Sequence, residues 1–380
     1  MSLVIDEHRQ YLADTNRISA FDRAIRETVR PGDVVVDLGS GTGILGLLAC
    51  RAGASRVYSI DEGPIVGLAR NICEANGYAD RMVFLRDVST RLTIPEPADV
   101  LVTDQIGRFG FEAGLVGFVR DARRRLLKAD ARVVPGAVSL VVAPVEAEEQ
   151  WDAVAFWKRP VAGLDVSAVW PSAVSTGYPL HVSPGQLLAA PFTIARLPLS
   201  DGAARLAGSS RHVVARAGTL HGIAGWFDAR LSPSVTMTNS PLDAGRINRR
   251  QILFPIDRPV HVEPGDAIAV AMTILSNDQI VTWKVEVQRA GAAAPLTFNG
   301  STFQGMLISS EDTARTRPAF VPALTAPGRG RRTVLELCDG RHDLASIERE
   351  VFTRHQDLFA TEGEAAAFVA EVVTRYADTA

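Results

Sequence analysis

The stretch Val34-Val35-Val36-Asp37-Leu38-Gly39-Ser40-Gly41-Thr42-Gly43-Ile44-Leu45-Gly46-Leu47-Leu48-Ala49 constrains the fold more than any other part of this 380-residue chain. Three consecutive β-branched residues predict a strand buried on both faces, as in parallel sheets. The glycines predict a tight turn, and the apolar run from Ile44 to Ala49 predicts a helix packing back on that strand. Gly39, Gly41 and Gly43 let the backbone approach a bound molecule where a Cβ would collide, and the helix that follows offers free N–H groups to negative charge. Dinucleotide enzymes space such glycines as G-x-G-x-x-G, which seats a pyrophosphate on the helix N-terminus. The spacing here is G-x-G-x-G with Asp37 two residues ahead, and the competing reading is a turn that binds nothing.

The surrounding chain extends this unit. From Ile5 to about Arg30, Leu12, Ile18, Phe21 and Ile25 predict one or two helices, with Asp14 and Arg17 on one helical face. That pair reads as a solvated ion pair, unless Arg17 clamps the carboxylate of a ligand carrying an amino-acid tail. Arg56–Asp61 predicts a second strand ending in an acid, and Asp61, about twenty residues past the loop, suits two ribose hydroxyls. Pro64 to Asn76 is a helix ended by Gly77, and Arg81–Val88 a third strand whose end offers Asp87 or the Val88 backbone to an adenine. Ala98–Asp104 is the fourth strand. Ligands bind beyond the carboxyl ends of such strands, so Asp104 and Glu112 emerge where chemistry would occur. Gly114 to Lys128 reads as a helix, and its arginines at 120 and 123–125 as a solvated face.

From Arg132 to about Val287 the texture changes to short β-branched runs separated by Pro, Gly and Ser turns, which predicts an antiparallel sandwich or barrel. Pro318 to Gly330 reads as a linker, and residues 331–380 as three short helices of a winged-helix-sized module. That module holds six arginines against ten acids. Its negative charge points to a peptide or protein partner and away from DNA, since phosphate affinity depends on Lys and Arg. The whole chain has a net charge of −3, 47% hydrophobic and 22% charged residues, so neither nucleic acid nor an anionic membrane is an expected partner. No apolar run reaches the roughly 18 residues of a membrane span and no secretory signal opens the chain, which predicts a cytoplasmic protein. Cys50, Cys73 and Cys338 have no metal-binding spacing and read as reduced core residues, with no metal expected.

The loop Asp37-Leu38-Gly39-Ser40-Gly41-Thr42-Gly43 resembles the S-adenosylmethionine loop of class I methyltransferases. Together with His8 through Asp14 and Arg17, and with Ala52-Gly53-Ala54 leading to Val57–Asp61, it resembles the protein arginine methyltransferases. The likeness runs to about residue 290: Val161–Ser167 resembles the start of that family's dimerisation arm and Gly225-Trp226-Phe227-Asp228 its barrel strand facing the active site. The resemblance implies S-adenosyl-L-methionine as cofactor, a Rossmann-like domain followed by a β-barrel, and a homodimer. It implies cofactor contacts from His8, Arg17, Asp37, Gly39, Gly41, Gly43, Asp61, Asp87 and Val88, catalytic acids at Asp104 and Glu112, and substrate contacts from Trp226, Asn248 and Arg249.

Three departures from the family are visible. Its first active-site glutamate is Asp104 here, and Glu112 comes one residue early. Its Thr-His-Trp loop reads Ile247-Asn248-Arg249, which removes an aromatic wall and adds a cation. Its N-terminal helix with paired tyrosines has no counterpart before His8. A second resemblance, carried by Val334–Arg341 and Leu344–Ile347, is to the peptide-binding chaperone of pyrroloquinoline quinone biosynthesis, whose relatives hold leader peptides for modifying enzymes. The expected domains are thus 1–140 for the cofactor, 141–317 for the barrel with an arm near 162–187, and 318–380 for linker and module. The expected reaction is N-methylation of a guanidino group on a peptide or protein. The alternatives are methylation of an amine, carboxylate or hydroxyl of a peptide or small natural product, with Arg249 meeting an acidic feature of the substrate, and a non-catalytic adaptor.

Overall fold

The computed structural model describes residues 4–197, 199, 205–306, 310–315 and 318–377. Two helices open the chain, α1 (Val4–Ala13) and α2 (Thr15–Thr28), and they break at Asp14 because its carboxylate caps α2 by accepting the Arg17 N–H at 3.1 Å. The expected Asp14–Arg17 ion pair is therefore a backbone cap, and the Arg17 guanidinium is free to reach elsewhere. There follow β1 (Val34–Leu38), α3 (Ile44–Arg51), β2 (Arg56–Ile60), α4 (Val66–Ala75), β3 (Met82–Leu85), β4 (Ala98–Thr103), α5 (Leu115–Arg125) and β5 (Leu127–Val134). Lys128, read as helical, lies in β5.

The five strands pair in parallel in the order β3-β2-β1-β4-β5. β1 lies at the centre and every one of its residues is buried, as the valine run requires. Chain order reverses between β1 and β4, so the loops leaving these two strands diverge and open a crevice at the carboxyl edge of the sheet. The glycine loop leaves β1 there, Asp61 follows β2, Asp87 follows β3 and Asp104 follows β4.

Past Val134 the pairing turns antiparallel. The elements are β6 (Ala137–Val145), α6 (Glu148–Ala155), α7 (Trp170–Val174), β7 (Tyr178–Leu180), β8 (Phe192–Leu197), β9 (Arg205–Val213), β10 (Gly218–Arg230), β11 (Thr236–Thr238), β12 (Gln251–Val262), β13 (Ala267–Leu275), β14 (Ile280–Gln288) and β15 (Leu296–Ser301). One sheet runs β7-β12-β10-β6-β8 with β11 added to β10, and the other β15-β14-β13-β9. Phe254 of β12 and Trp283 of β14 meet between them, ring centroids 5.2 Å apart, and the indole N–H donates to the Pro255 carbonyl. The buried indole thus has its N–H satisfied.

Two short helices, α8 (Thr302–Gly305) and α9 (Ser310–Arg315), precede a three-helix unit of α10 (Ala326–Leu337), α11 (Leu344–Arg354) and α12 (Glu362–Tyr376). Residues 308–380 form a compact unit of their own, separate from 1–307. Its core is Val334, Leu337, Ile347, Val351, Phe359, Ala365, Val369 and Val372, and among its described residues there is no strand. The expected linker is partly helix. Thr325 caps α10 by accepting the Gly328 N–H, and Gly330 is buried where a Cβ would press on Leu358 and Phe368. Cys50 and Cys73 are buried as expected, whereas Cys338 is exposed because it sits at the turn that ends α10. Among the described residues no helix is long and apolar enough to cross a membrane, and no cluster of ligands could hold a metal.

Candidate active site

The glycine loop has the conformation its composition predicts, with φ of +68° at Gly39, +54° at Gly41 and +74° at Gly43. These left-handed values are costly for any residue with a Cβ. Space is equally restrictive. A Cβ at Gly39 would stand 2.0 Å from the Gln105 side-chain nitrogen, and one at Gly41 would stand 2.7 Å from the His8 ring. His8 on α1 therefore lies over the loop. Gln105, which the sequence reading passed over, covers Gly39.

Asp37 is fully buried and turns away from the crevice: one oxygen accepts the Gly46 N–H of α3 at 2.8 Å and the other has no partner. Burial pushes its pKa up to about 7, against the pull of the Gly46 N–H. Asp37 thus fastens the loop to its helix, and does not line the cavity beside Asp61. Asp61 accepts the N–H of Gly41 and of Gly63, each at 2.8 Å, one on each oxygen. A carboxylate has about four lone-pair sites, so Asp61 keeps capacity for hydroxyl donors.

Beside Asp61 a cavity of about 160 Å³ is lined by Leu38, Gly39, Glu62, Asp87, Val88 and Gln105, among others. The Val88 N–H, a candidate donor to an adenine, is taken by the Asp87 carboxylate at 2.6 Å. Arg125 holds this wall in place by donating to the Ser89 and Leu92 carbonyls, so it is more than solvated surface. A cradle without Cβ atoms, an acid at the end of β2 and a cavity between them fit a nucleoside cofactor.

The segment after β4 is an irregular hairpin loop of turns and bends. Ile106, Phe109 and Phe111 are buried, and Phe109 meets Phe254 edge-on at 5.3 Å. Glu112 folds back into it, accepting N–H groups of Arg108, Phe109 and Phe111, and fills the space where a Cβ at Gly107 would be. Asn239, buried in the barrel, accepts the Phe227 N–H and donates to the Arg108 carbonyl, which ties the hairpin to β10. Nothing in the sequence singled out Asn239, because its partners are 12 and 131 residues away.

Asp104 stands at the mouth of the hairpin, bonded to two arginines. Arg17 donates to its Oδ2 at 2.6 Å, and Arg249 reaches Oδ2 at 2.8 Å and Oδ1 at 3.3 Å. Burial, the strongest single influence, opposes ionisation, yet the two guanidiniums outweigh it and hold the carboxyl below its ordinary value. Arg249 also donates to the Gly107 carbonyl and lies 5.9 Å from the Phe227 ring centroid. The Arg17 guanidinium is sandwiched near the rings of Tyr11 and Phe21. Three distant segments thus converge on one carboxylate at the switch point of the sheet.

Comparison with known proteins bears directly on this arrangement. Residues 137–286 match the arginine methyltransferase oligomerization subdomain, and residues 18–108 match the ribosomal protein L11 methyltransferase family. An arginine N(omega)-methyltransferase of Streptomyces achromogenes subsp. streptozoticus is 32% identical over 278 residues, covering 70% of this chain and 75% of the relative. The chain belongs to the arginine methyltransferase family. Protein arginine N-methyltransferase 6 of Xenopus laevis is 28% identical over 285 residues, 71% of this chain and 84% of that one. In fold, the chain resembles the Trypanosoma brucei PRMT1 enzyme-prozyme heterotetrameric complex with AdoHcy, with TM-score 0.69 and 19% identity over 77% of this chain and 96% of that one. It also resembles Arabidopsis thaliana protein arginine methyltransferase 10, with TM-score 0.66, 20% identity and the same coverages. As a member of this family the chain is a methyltransferase dependent on S-adenosylmethionine.

Of the expected residues, Gly39, Asp61, Asp87 and Val88 line one cavity, His8 lies over Gly41, Gly43 begins α3, Arg17 and Arg249 meet on Asp104, and Glu112 lies behind Gly107. Asn248 lies in the same loop as Arg249, and its N–H is bonded to Asp14 at 2.7 Å. Trp226 is not brought to the site. Successive side chains of a strand point to opposite faces. Trp226 therefore packs in a separate core with Val141, Ala143, Ala224 and Leu253, while Phe227 faces Arg249.

Proposed function

We propose that this enzyme transfers a methyl group to a guanidino nitrogen of an arginine residue in a peptide or protein, with Asp104 as the acid that holds the acceptor. The observation that carries this reading is the pairing of Asp104 with Arg249: the carboxylate already binds a guanidinium through two terminal nitrogens in a buried setting. Planar bidentate geometry is what guanidinium recognition requires. S-adenosylmethionine supplies an electrophilic methyl group when bound, so the protein's task is alignment and exclusion of water. Gly39, Gly41, Gly43 and His8 would cradle the cofactor, Asp61 would take its ribose hydroxyls, and Arg17 its carboxylate. Asp87 and Val88 line the side expected for adenine. Glu112 keeps the hairpin in the shape that presents Asp104, and as the second acid it localises the acceptor's charge. Asn248 and Arg249 border the path by which the acceptor would enter.

The arm reading is supported by the exposed apolar side chains of Phe156, Val161, Leu164 and Val169. The chain would form a homodimer through them. The module formed by α10 to α12, by its sequence likeness to the pyrroloquinoline quinone chaperone, would hold a peptide. A cytoplasmic site of action accords with three cysteines that are all free. Fragmentation mass spectrometry of methylated products tests the reaction: methyl groups on guanidine nitrogens support it, and methylation confined to oxygens or amines rejects it.

A further inference from the structure

Asp104 has one negative charge and two guanidiniums bonded to it. If an acceptor guanidinium takes the side of this carboxylate that Arg249 now occupies, Arg249 keeps its bond to the Gly107 carbonyl but loses its ion-pair partner while remaining buried. A buried charge without a partner is strongly disfavoured. Among the described residues no other acid forms an ion pair with Arg249, and Glu112 attracts it only from a distance. Glu112 is bonded to hairpin N–H groups, and Asp14 caps α2 and accepts the Asn248 N–H. Beyond Arg249 lies a polar cleft of about 640 Å³, whose lining includes Arg9, Asp14, His181 and Arg246. Arg9 is paired with Asp6, but among the described residues the Arg246 side chain has no carboxylate partner and bonds only the Asp243 carbonyl. Arg246, and Arg249 once displaced from Asp104, are thus cations of the cleft with no acid in ion-pair range.

We infer that the acceptor is a zwitterion that carries a carboxylate near its guanidino group, and that Arg249 together with Arg246 takes this carboxylate as the guanidinium takes Asp104. The inference rests on the guanidino reading above, keeps the methylated group, and adds a requirement for an anion near it that a free guanidino amino acid meets as well as a peptide. The carboxylate has two sources, the α-carboxylate of a free guanidino amino acid or an acidic residue next to the arginine of a peptide. Arg249 becomes a specificity residue: it occupies the place proposed for the acceptor's guanidinium and exchanges partners when an acceptor with its own anion arrives.

The test uses the full-length chain with S-adenosylmethionine and two matched pairs of acceptors. One pair is L-arginine and L-argininamide, the other a short peptide containing Arg-Asp and its Arg-Asn counterpart. At least a tenfold advantage in kcat/KM for the carboxylate member is expected in one pair, and the responding pair identifies the source. Arg249→Gln and Arg246→Gln, made separately, should each shrink that advantage severalfold. Since the pairs are first compared on the unaltered enzyme, the result does not depend on either variant folding. Equal use within both pairs, or an advantage unchanged by both substitutions, overturns the inference and leaves guanidine methylation standing. Methylation of no guanidino compound by a chain that still binds the cofactor overturns the reaction assigned above and this inference with it.

Discussion

Arg249 meets Asp104 through both terminal nitrogens, across 145 residues of sequence, and fixes the barrel loop against the acid that leaves β4. The contact puts a guanidinium of the chain's own in the place proposed for that of the acceptor.

Asp104→Asn keeps the shape of the side chain and removes the charge. Electrostatic stabilisation of a reacting group is commonly worth about 10²–10³ in rate. A fall in kcat of that order is expected, with cofactor affinity by calorimetry changed by less than about threefold. An unchanged kcat would remove Asp104 from the chemistry.

Glu112→Gln is expected to act differently. Both carboxylate oxygens of Glu112 accept N–H groups, so an amide would point its own N–H₂ at one of these donors. Activity should fall together with melting temperature, by about 1–3 kcal/mol for a buried donor left unmatched. Loss of activity with no change in melting would mean that Glu112 acts on the acceptor alone.

Gly39→Ala tests the cradle. A left-handed residue with a Cβ costs roughly 1–2 kcal/mol, and this Cβ would enter the space held by Gln105. Cofactor affinity should drop more than tenfold in a calorimetric titration while the far-ultraviolet dichroism stays that of a folded chain. Gly67 offers a control, since nothing lies within 4 Å of the Cβ that would be added there.

Asp37 makes stability depend on pH in a predictable direction. Its pKa is about 7 in the folded chain, against an ordinary value of 3.8. Between these values the native state binds a proton that the unfolded state has released, so stability falls as pH rises. The loss is complete above pH 7 and is on the order of 4 kcal/mol. Denaturant titrations from pH 5 to 8 should show a steeper decline for the native sequence than for Asp37→Asn. Parallel pH profiles would show that Asp37 is not the titrating group.

The glycine spacing, the valine run and the acids after the strands belong to contiguous segments of ten or so residues. Their consequences are local: a buried strand, a turn only glycine can make, a carboxylate at a strand end. For this reason the α/β unit, the antiparallel second half, the family and the strand-end positions of Asp61 and Asp104 are legible in the sequence. Gln105 carries no such signal, because nothing in the sequence marks which way a residue beside a strand-end acid will point. Asp37 and Trp226 were assigned by motif, yet one turned beneath the loop to reach Gly46 and the other fell on the far face of its strand.

Sequence by itself determined the cofactor cradle, because backbone conformation there is dictated residue by residue. Only the tertiary structure decided the partners of Asp104. Arg17 and Arg249 lie 87 and 145 residues from it, and which of many arginines would neutralise a buried acid depends on how the barrel loop packs against the sheet.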